Sequence, residues 1–325
     1  MKPIDSAPPS VDLQIHFERL GFAVRLLTLF MPFAMSATAQ TQFSYTNDNG
    51  RIAITKYTGS GGAVIIPDTI DGLPVTHIGN SAFYESTQLT AVVIPNSVTS
   101  IGASAFSSCF GLTNVMIGNS VTNIGNRAFS GCASLTSIIV PDSVITIEEW
   151  AFFSSGLSSI SIGNGVTSIG RIAFSFCSNL RNITIGSSVT HIGDLAFTYC
   201  TSLMGVYFKG NAPDLGLHVF EEFDKTIVYY LPETTGWAST FGGRATRLWN
   251  PGVLTSDASF GVRAGQFGFT ISGTSDLVIV VEACADLANP VWTPVGTNTL
   301  AGGSSYFSDS HWEDYATRVY RLRSP

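Results

Sequence analysis

Charge is what this sequence has least of. Asp, Glu, Lys and Arg together make up 12% of its 325 residues, about half the usual quarter. Glycine, serine, threonine and asparagine take their place, so the surface must be clothed in neutral polar groups. The net charge is −7, and no run of Lys or Arg forms the phosphate-neutralising patch that nucleic acid requires. Five cysteines are too few and too unevenly placed for a disulfide scaffold. There is no C-x-x-C pair and no histidine cluster, which argues against zinc. There is no G-x-S-x-G elbow, and Gly59-Ser60-Gly61-Gly62 precedes no helical pattern, so it is a turn and not a phosphate cradle. Glycan hydrolysis needs two carboxylates facing one cleft, and the few acids here fall mostly on turns. No catalytic residue, metal or cofactor is expected.

Long apolar runs are also missing. The longest, Leu26 to Met35, is half the length of about 20 residues that crosses a bilayer. Arg19 and Arg25 precede it and Ala37-Thr38-Ala39 follows, the order of a secretory signal peptide with a small-residue cleavage site. Residues 1–39 are therefore expected to be a leader. The remaining chain is expected to be secreted or held at the cell surface without a transmembrane segment.

What the sequence has in abundance is a period. Ile-Gly-x-x-Ala-Phe recurs at Ile78-Gly79, Ile101-Gly102, Ile124-Gly125, Ile169-Gly170 and Ile192-Gly193, and Ile147-Glu148 is a variant. The repeat phenylalanines Phe83, Phe106, Phe129, Phe152, Phe174 and Phe197 are spaced 23, 23, 23, 22 and 23 residues apart. A leucine follows each, then a strand-like run such as Val92-Val93-Ile94, then a turn such as Pro95-Asn96-Ser97. A unit of this size is one coil of a solenoid and completes its core only by stacking on its neighbours. Equivalent strands then lie about 4.8 Å apart in a parallel sheet. Six stacked phenylalanines contribute on the order of 20–35 kcal/mol of burial as an upper bound.

The unit C-x-x-L-T-x-V-x-I-P-x-S-V-T-x-I-G-x-x-A-F resembles the BspA-type leucine-rich repeat of bacterial secreted and cell-surface proteins, over about 45% of the chain at residues 63–209. The resemblance implies adhesion-type binding of an extracellular or surface protein, with a glycan as another candidate partner, and no enzymatic activity. Glu148 in place of glycine and the shortened region near Leu157 suggest a local kink in the stack.

The flanks follow from the pattern. Residues 40–62 read as an N-terminal cap hairpin, with Asn47-Asp48-Asn49-Gly50 as its turn. Residues 210–250 read as a C-terminal cap: the next Ile-Gly is missing, Phe220 to Phe223 and Ile227 to Tyr230 form a last divergent coil, and Trp237, Phe241 and Trp249 close it. Residues 251–325 show no echo of the repeat. Their short strand patterns at residues 267–271, 277–282, 304–307 and 318–322 read as a small antiparallel β-sandwich. The expected fold class is thus a leucine-rich repeat solenoid followed by that β-sandwich.

Single residues mostly carry structural readings. Cys109, Cys132, Cys177 and Cys200 all sit three after the repeat phenylalanine, a slot that Ser86 and Ser155 also fill. Buried free thiols fit that better than disulfides, because stacked Cβ atoms stand further apart than the ~3.8 Å a bridge prefers. His77 and His191 share a slot with Ser100 and Asn123, and His311-Trp312-Glu313-Asp314 reads as a polar loop. What remains is a face. Strand alternation turns Val93, Met116, Ile139, Ser161, Thr184 and Tyr207 outward in one column, with Asn114 and Asn182 in the column beside it. The first half of that column is apolar where solubility would choose Ser or Thr. It is the expected partner-binding surface; the alternative is a scaffold whose repeats space a C-terminal carbohydrate-binding or sorting module.

Overall fold

A computed structural model of the chain describes residues 42–220, 225–287 and 291–323, and the leader expected at residues 1–39 lies outside them. The described chain divides into two compact units, residues 42–247 and 248–323.

The first unit is a succession of coils, each contributing a longer strand and a short strand to separate sheets; the longer strands form one three-stranded sheet, ending at Asn114–Met116, and a second that starts at Ser137–Val140. The longer strands include Leu89–Val93, Asn114–Met116, Ser137–Val140, Ser159–Ile162, Asn182–Ile185 and Gly205–Phe208. The short strands keep one register throughout, pairing Ile78, Ile101, Ile124, Ile147, Ile169, Ile192 and Leu215 in a single row. Every repeat phenylalanine is fully buried. From Phe83 to Phe197, neighbouring ring centroids stand 4.7–5.4 Å apart with near-parallel planes. This is the spine that the period predicts.

The stack extends past the recognised repeats at both ends. Tyr57 lies 5.0 Å from Phe83, and Phe220 lies 5.5 Å from Phe197. The Ile-Gly expected to be missing after residue 209 is present in conservative disguise. Leu215 pairs with Ile192, and Val219-Phe220 takes the Ala-Phe place. Leu for Ile and Val for Ala keep both positions apolar, and the 23-residue spacing is intact. The expected kink is absent too. Phe129, Phe152 and Phe174 stay 5.4 and 5.2 Å apart, and Thr146 and Ile147 pair in register with both neighbouring coils. Gly156 absorbs the deletion, since a Cβ there would sit 2.0 Å from the Ala133 carbonyl oxygen. The Glu148 carboxylate folds back to accept from Asn123 Nδ2 at 2.9 Å and the Asn126 N–H at 2.8 Å.

Mostly neutral side chains, with an occasional aspartate, satisfy the coil edges. Thr99, Thr122 and Thr190 donate to the carbonyl one coil earlier, and Asn96, Asp142 and Asn164 accept from the N–H one coil later. The residue before each repeat Ala or Val is left-handed, with φ of 53–61° at Ser81, Ser104, Arg127, Trp150, Ile172, Leu195 and His218. That conformation costs about 1–2 kcal/mol for a residue with a side chain. It is offset by cross-coil bonds: the N–H of Ser104 reaches Asn126 O at 2.7 Å and that of Ile172 reaches Asp194 O at 2.9 Å.

The unit is closed by a hairpin at each end. Strand β1 (Phe43–Asp48) pairs antiparallel with β2 (Arg51–Tyr57) through Asn49 and Gly50, both at positive φ as a two-residue hairpin requires. β2 then pairs in parallel with Leu73–Ile78, so the hairpin extends the sheet of short strands. Strand β3 (Gly62–Ile65) begins the first sheet of longer strands by pairing with Leu89–Val93. At the far end, Thr240–Phe241 and Arg244–Leu248 form an antiparallel pair beyond Ile227–Tyr230. Trp237 lies 5.0 Å from Phe208 and 5.3 Å from Tyr230, and Phe241 packs beside it. Trp249, expected in this closure, is instead buried as part of the second unit. Glu221, Glu222 and Phe223 lie outside the described residues.

The second unit contains two antiparallel sheets. Gln266–Ser272 is central in one, between Gly252–Leu254, Gly261–Arg263 and Ser304–Asp309; Val278–Cys284 is central in the other, between Thr293–Thr299 and Val319–Arg323. Phe267, Phe269 and Phe307 of the first sheet meet Tyr320 of the second at 5.4–5.9 Å, which makes one aromatic core.

Candidate binding face

The longer strands bury alternate residues, so Val92 and Ile94 point into the core and Val93 points out. The predicted column divides in two. Val93 is half-buried, whereas Met116 and Ile139 are 49% and 44% exposed. Ser161 is half-buried, and Thr184 and Tyr207 are buried. The last two are thus not part of an open face. The reason is local: Tyr207 stacks on Tyr229 at 4.7 Å, and its ring lies down over Gly205, where a Cβ would meet it at 2.7 Å. Burial pushes the Tyr207 hydroxyl above its ordinary pKa. Asn114 and Asn182 are half-buried beside the column.

Sequence reasoning missed the head of the column. Ile65 of β3 pairs with Val93, which pairs with Met116, and Ile65 is 68% exposed. Ile65, Val93 and Met116 therefore make one apolar row across a three-stranded sheet, and Ile139 takes the equivalent outward slot on Ser137–Val140, the first strand of the next sheet. The period could have found it, since Ile65 lies in the strand preceding the first full repeat. Also missed was an aromatic rim on the turns. Phe153 meets Trp150 at 4.8 Å and Phe176 at 5.5 Å, Phe176 stacks on Tyr199 at 4.4 Å, and the Arg127 guanidinium lies 4.9 Å from the Trp150 ring. These rings occupy slots that serine fills in earlier coils, so no conserved letter marks them.

The four ladder cysteines are free and buried. Each thiol donates to the carbonyl of the repeat phenylalanine one coil earlier, at 3.0–3.2 Å. Ser155 keeps the same slot and lies 3.2 Å from Cys177 Sγ. Burial raises the Cys109 thiol to about 12 and that of Cys132 higher still. Such groups are poor nucleophiles. Cys284 is buried at the end of Val278–Cys284. The His77 ring nitrogen Nδ1 lies 2.8 Å from Thr76 Oγ1, and His311 leads into a short 3-10 turn at Trp312–Asp314. Among the described residues, no group of three or more His, Cys, Asp and Glu side chains converges as a metal site would, and no helix is long and apolar enough to cross a membrane.

This repeat geometry is that of a known class. The profile of the BspA-type leucine-rich repeat region matches residues 76–204 in six copies. The crystal structure of a T. pallidum leucine-rich repeat protein is similar at 35% identity and a TM-score of 0.52, over 55% of this chain and 86% of that one. A Bacteroides ovatus leucine-rich repeat protein aligns at 24% identity and a TM-score of 0.44, over 64% of this chain and 75% of that one. No curated protein matches. The chain belongs to the BspA-type leucine-rich repeat family, a class consistent with a binding or scaffold role.

Proposed function

We propose that this protein is a non-enzymatic binding protein, secreted or displayed at a cell surface, that engages another protein through the outer face of its longer-strand sheets. The observation that carries this reading is the row Ile65, Val93, Met116 and Ile139, exposed at three of its four positions, beside a strand column that reads Asn114, Ser137, Ser159 and Asn182. A half-solvated strand position accepts threonine at no cost to the sheet. Exposed methionine and isoleucine in its place favour a contact surface. The leader expected at residues 1–39 and the family's cell-surface repeat type support an extracellular setting.

The test is a pair of substitutions, Met116→Asp and Ile139→Asp, assayed by capture of extracellular proteins and by melting. Loss of captured partner with an unchanged Tm supports the binding face. Undiminished capture removes the face from consideration and favours a scaffold that spaces the C-terminal unit.

A further inference from the structure

The two sheets at the start of the solenoid are not closed alike. β1 covers the outer edge of β2, but among the described residues no strand pairs with the outer edge of β3. Gly62 and Ile66 turn their N–H groups toward the Leu89–Val93 strand, bonding Gln88 O at 2.7 Å and Val93 O at 3.0 Å. By the alternation of an extended chain, the N–H and C=O groups of Ala63 and Ile65 face the opposite way, off the edge of the sheet. Both residues are exposed. Such a row of alternating partial charges, with no strand partner among the described residues, is a template for another strand.

We infer that the edge of β3 is a β-strand addition site for an extended segment of a partner protein. Three features select that occupant. First, the edge offers backbone donors and acceptors in alternation, a pattern complemented by another polypeptide backbone and not by a lipid or a glycan. Second, Ile65 begins the exposed apolar stripe, so an added strand with an apolar residue facing outward continues the row Ile65, Val93, Met116 on its own side. Third, the overhang at this end disfavours a second copy. β2 pairs with Leu73–Ile78, a strand of the same coil as β3, so β2 and then β1 stand one and two strands beyond the layer of β3. A strand added to β3 enters the layer of β2, whereas two solenoids meeting edge to edge would drive each hairpin against the first coils of the other. The inference goes beyond the outer-face reading, because the backbone of β3 and not the side chains of Met116 and Ile139 makes the bonds.

The probe is a six-residue peptide of alternating threonine and valine, added to the full chain, with amide hydrogen exchange as the readout. The expected result is at least tenfold slower exchange at Ala63 and Ile65 and none at Val64, whose N–H already faces the neighbouring strand. The same peptide N-methylated at every residue should give no slowing. Ile65→Pro deletes one edge donor and should abolish the effect with unchanged melting, while Ile65→Ala keeps the donor and should retain it. Slowing that persists in Ile65→Pro, or equal slowing by the N-methylated peptide, overturns the site. Amides of Ala63 and Ile65 already protected without peptide also overturn it: concentration-dependent protection assigns the edge to a second copy, and concentration-independent protection assigns it to the chain's own upstream residues. Partner capture lost in Met116→Asp but kept in Ile65→Pro leaves the outer-face reading standing and removes this one.

Discussion

The two units solve the problem of burying polar groups in opposite ways. The solenoid lines its coil edges with threonine, asparagine and serine, each bonded to backbone one coil away, and packs its centre with near-parallel rings. The C-terminal unit sinks ion pairs among its strands. Asp309 accepts from Arg318 Nε at 2.6 Å, Tyr320 Oη at 3.0 Å and the His311 N–H at 2.8 Å. Glu282 accepts from Arg321 Nε at 2.8 Å and Arg323 Nε at 2.6 Å. The difference follows from repetition. A solenoid must satisfy the same edge in every coil, and a column of like charges about 4.8 Å apart would repel itself. Neutral ladders avoid this. A non-repeating unit places each opposite charge once, beside its partner.

The largest expected effect removes one ring from the spine. Phe129→Ala leaves a cavity between Phe106 and Phe152, whose centroids stand 5.2 and 5.4 Å from the lost ring. A substitution of this kind costs about 3–5 kcal/mol. Hydrogen exchange should quicken across residues 42–247 and stay unchanged in residues 248–323. Quickening in both would break the distinction between the units. Next comes Arg318→Ala, which strands the Asp309 carboxylate among apolar strands at a cost of about 3 kcal/mol. Here the exchange change should be confined to the C-terminal unit.

Smaller effects come from titration, and their sign differs between the units. Burial pushes the Asp309 carboxyl up, but the His311 N–H, Arg318 and Tyr320 outweigh it, and its pKa lies below the ordinary carboxylate value. A depressed acid binds its proton more tightly when unfolded, so its contribution is present at neutral pH and is lost as pH falls below about 4. The buried thiols of Cys109 and Cys132 run the other way. Cys109, raised by burial to about 12 from the ordinary 9.0, holds its proton more tightly in the folded state. Its contribution is whole below pH 9 and is lost as pH climbs from 9 toward 12. Exchange followed against pH should therefore show the C-terminal unit loosening first in acid and the solenoid loosening from pH 9. The reverse order would refute the assignment of these groups.

Much of the solenoid was legible because the period repeats one physical constraint many times. Ile101, Phe106 and Leu112 announce a coil, and each further coil confirms the reading. Legibility failed where chemistry was kept but letters changed, as at Leu215-Gly216 and Val219-Phe220, or where one residue was lost and Gly156 absorbed it. In the C-terminal unit, four strands declared themselves through apolar runs. Thr293–Thr299 did not, because its composition is polar and its place is set by pairing with Val278–Cys284. The outer face was half legible. Alternation put Thr184 and Tyr207 outward, but no local pattern reveals that Tyr207 lies over Gly205 and stacks on Tyr229. Ile65 escaped because it precedes the first Ile-Gly-x-x-Ala-Phe anchor at Ile78-Gly79.

The smallest expected effect tests why the ladder uses cysteine at all. Cys109→Ser keeps a donor aimed at the Phe83 carbonyl, now held by a thiol at 3.0 Å, and Ser155 already occupies the equivalent slot. The hydroxyl makes a stronger hydrogen bond but is costlier to bury than a thiol, and these differences oppose each other. The net change should stay within about 1 kcal/mol. The alkaline limb should flatten, because one raised thiol is gone. Alkylation by iodoacetamide in the native state should be slow at Cys109, Cys132, Cys177 and Cys200 alike, since every one of these sulfurs is buried. Fast native-state alkylation at any of them would mean that the coils part locally far more often than so tightly stacked a spine allows.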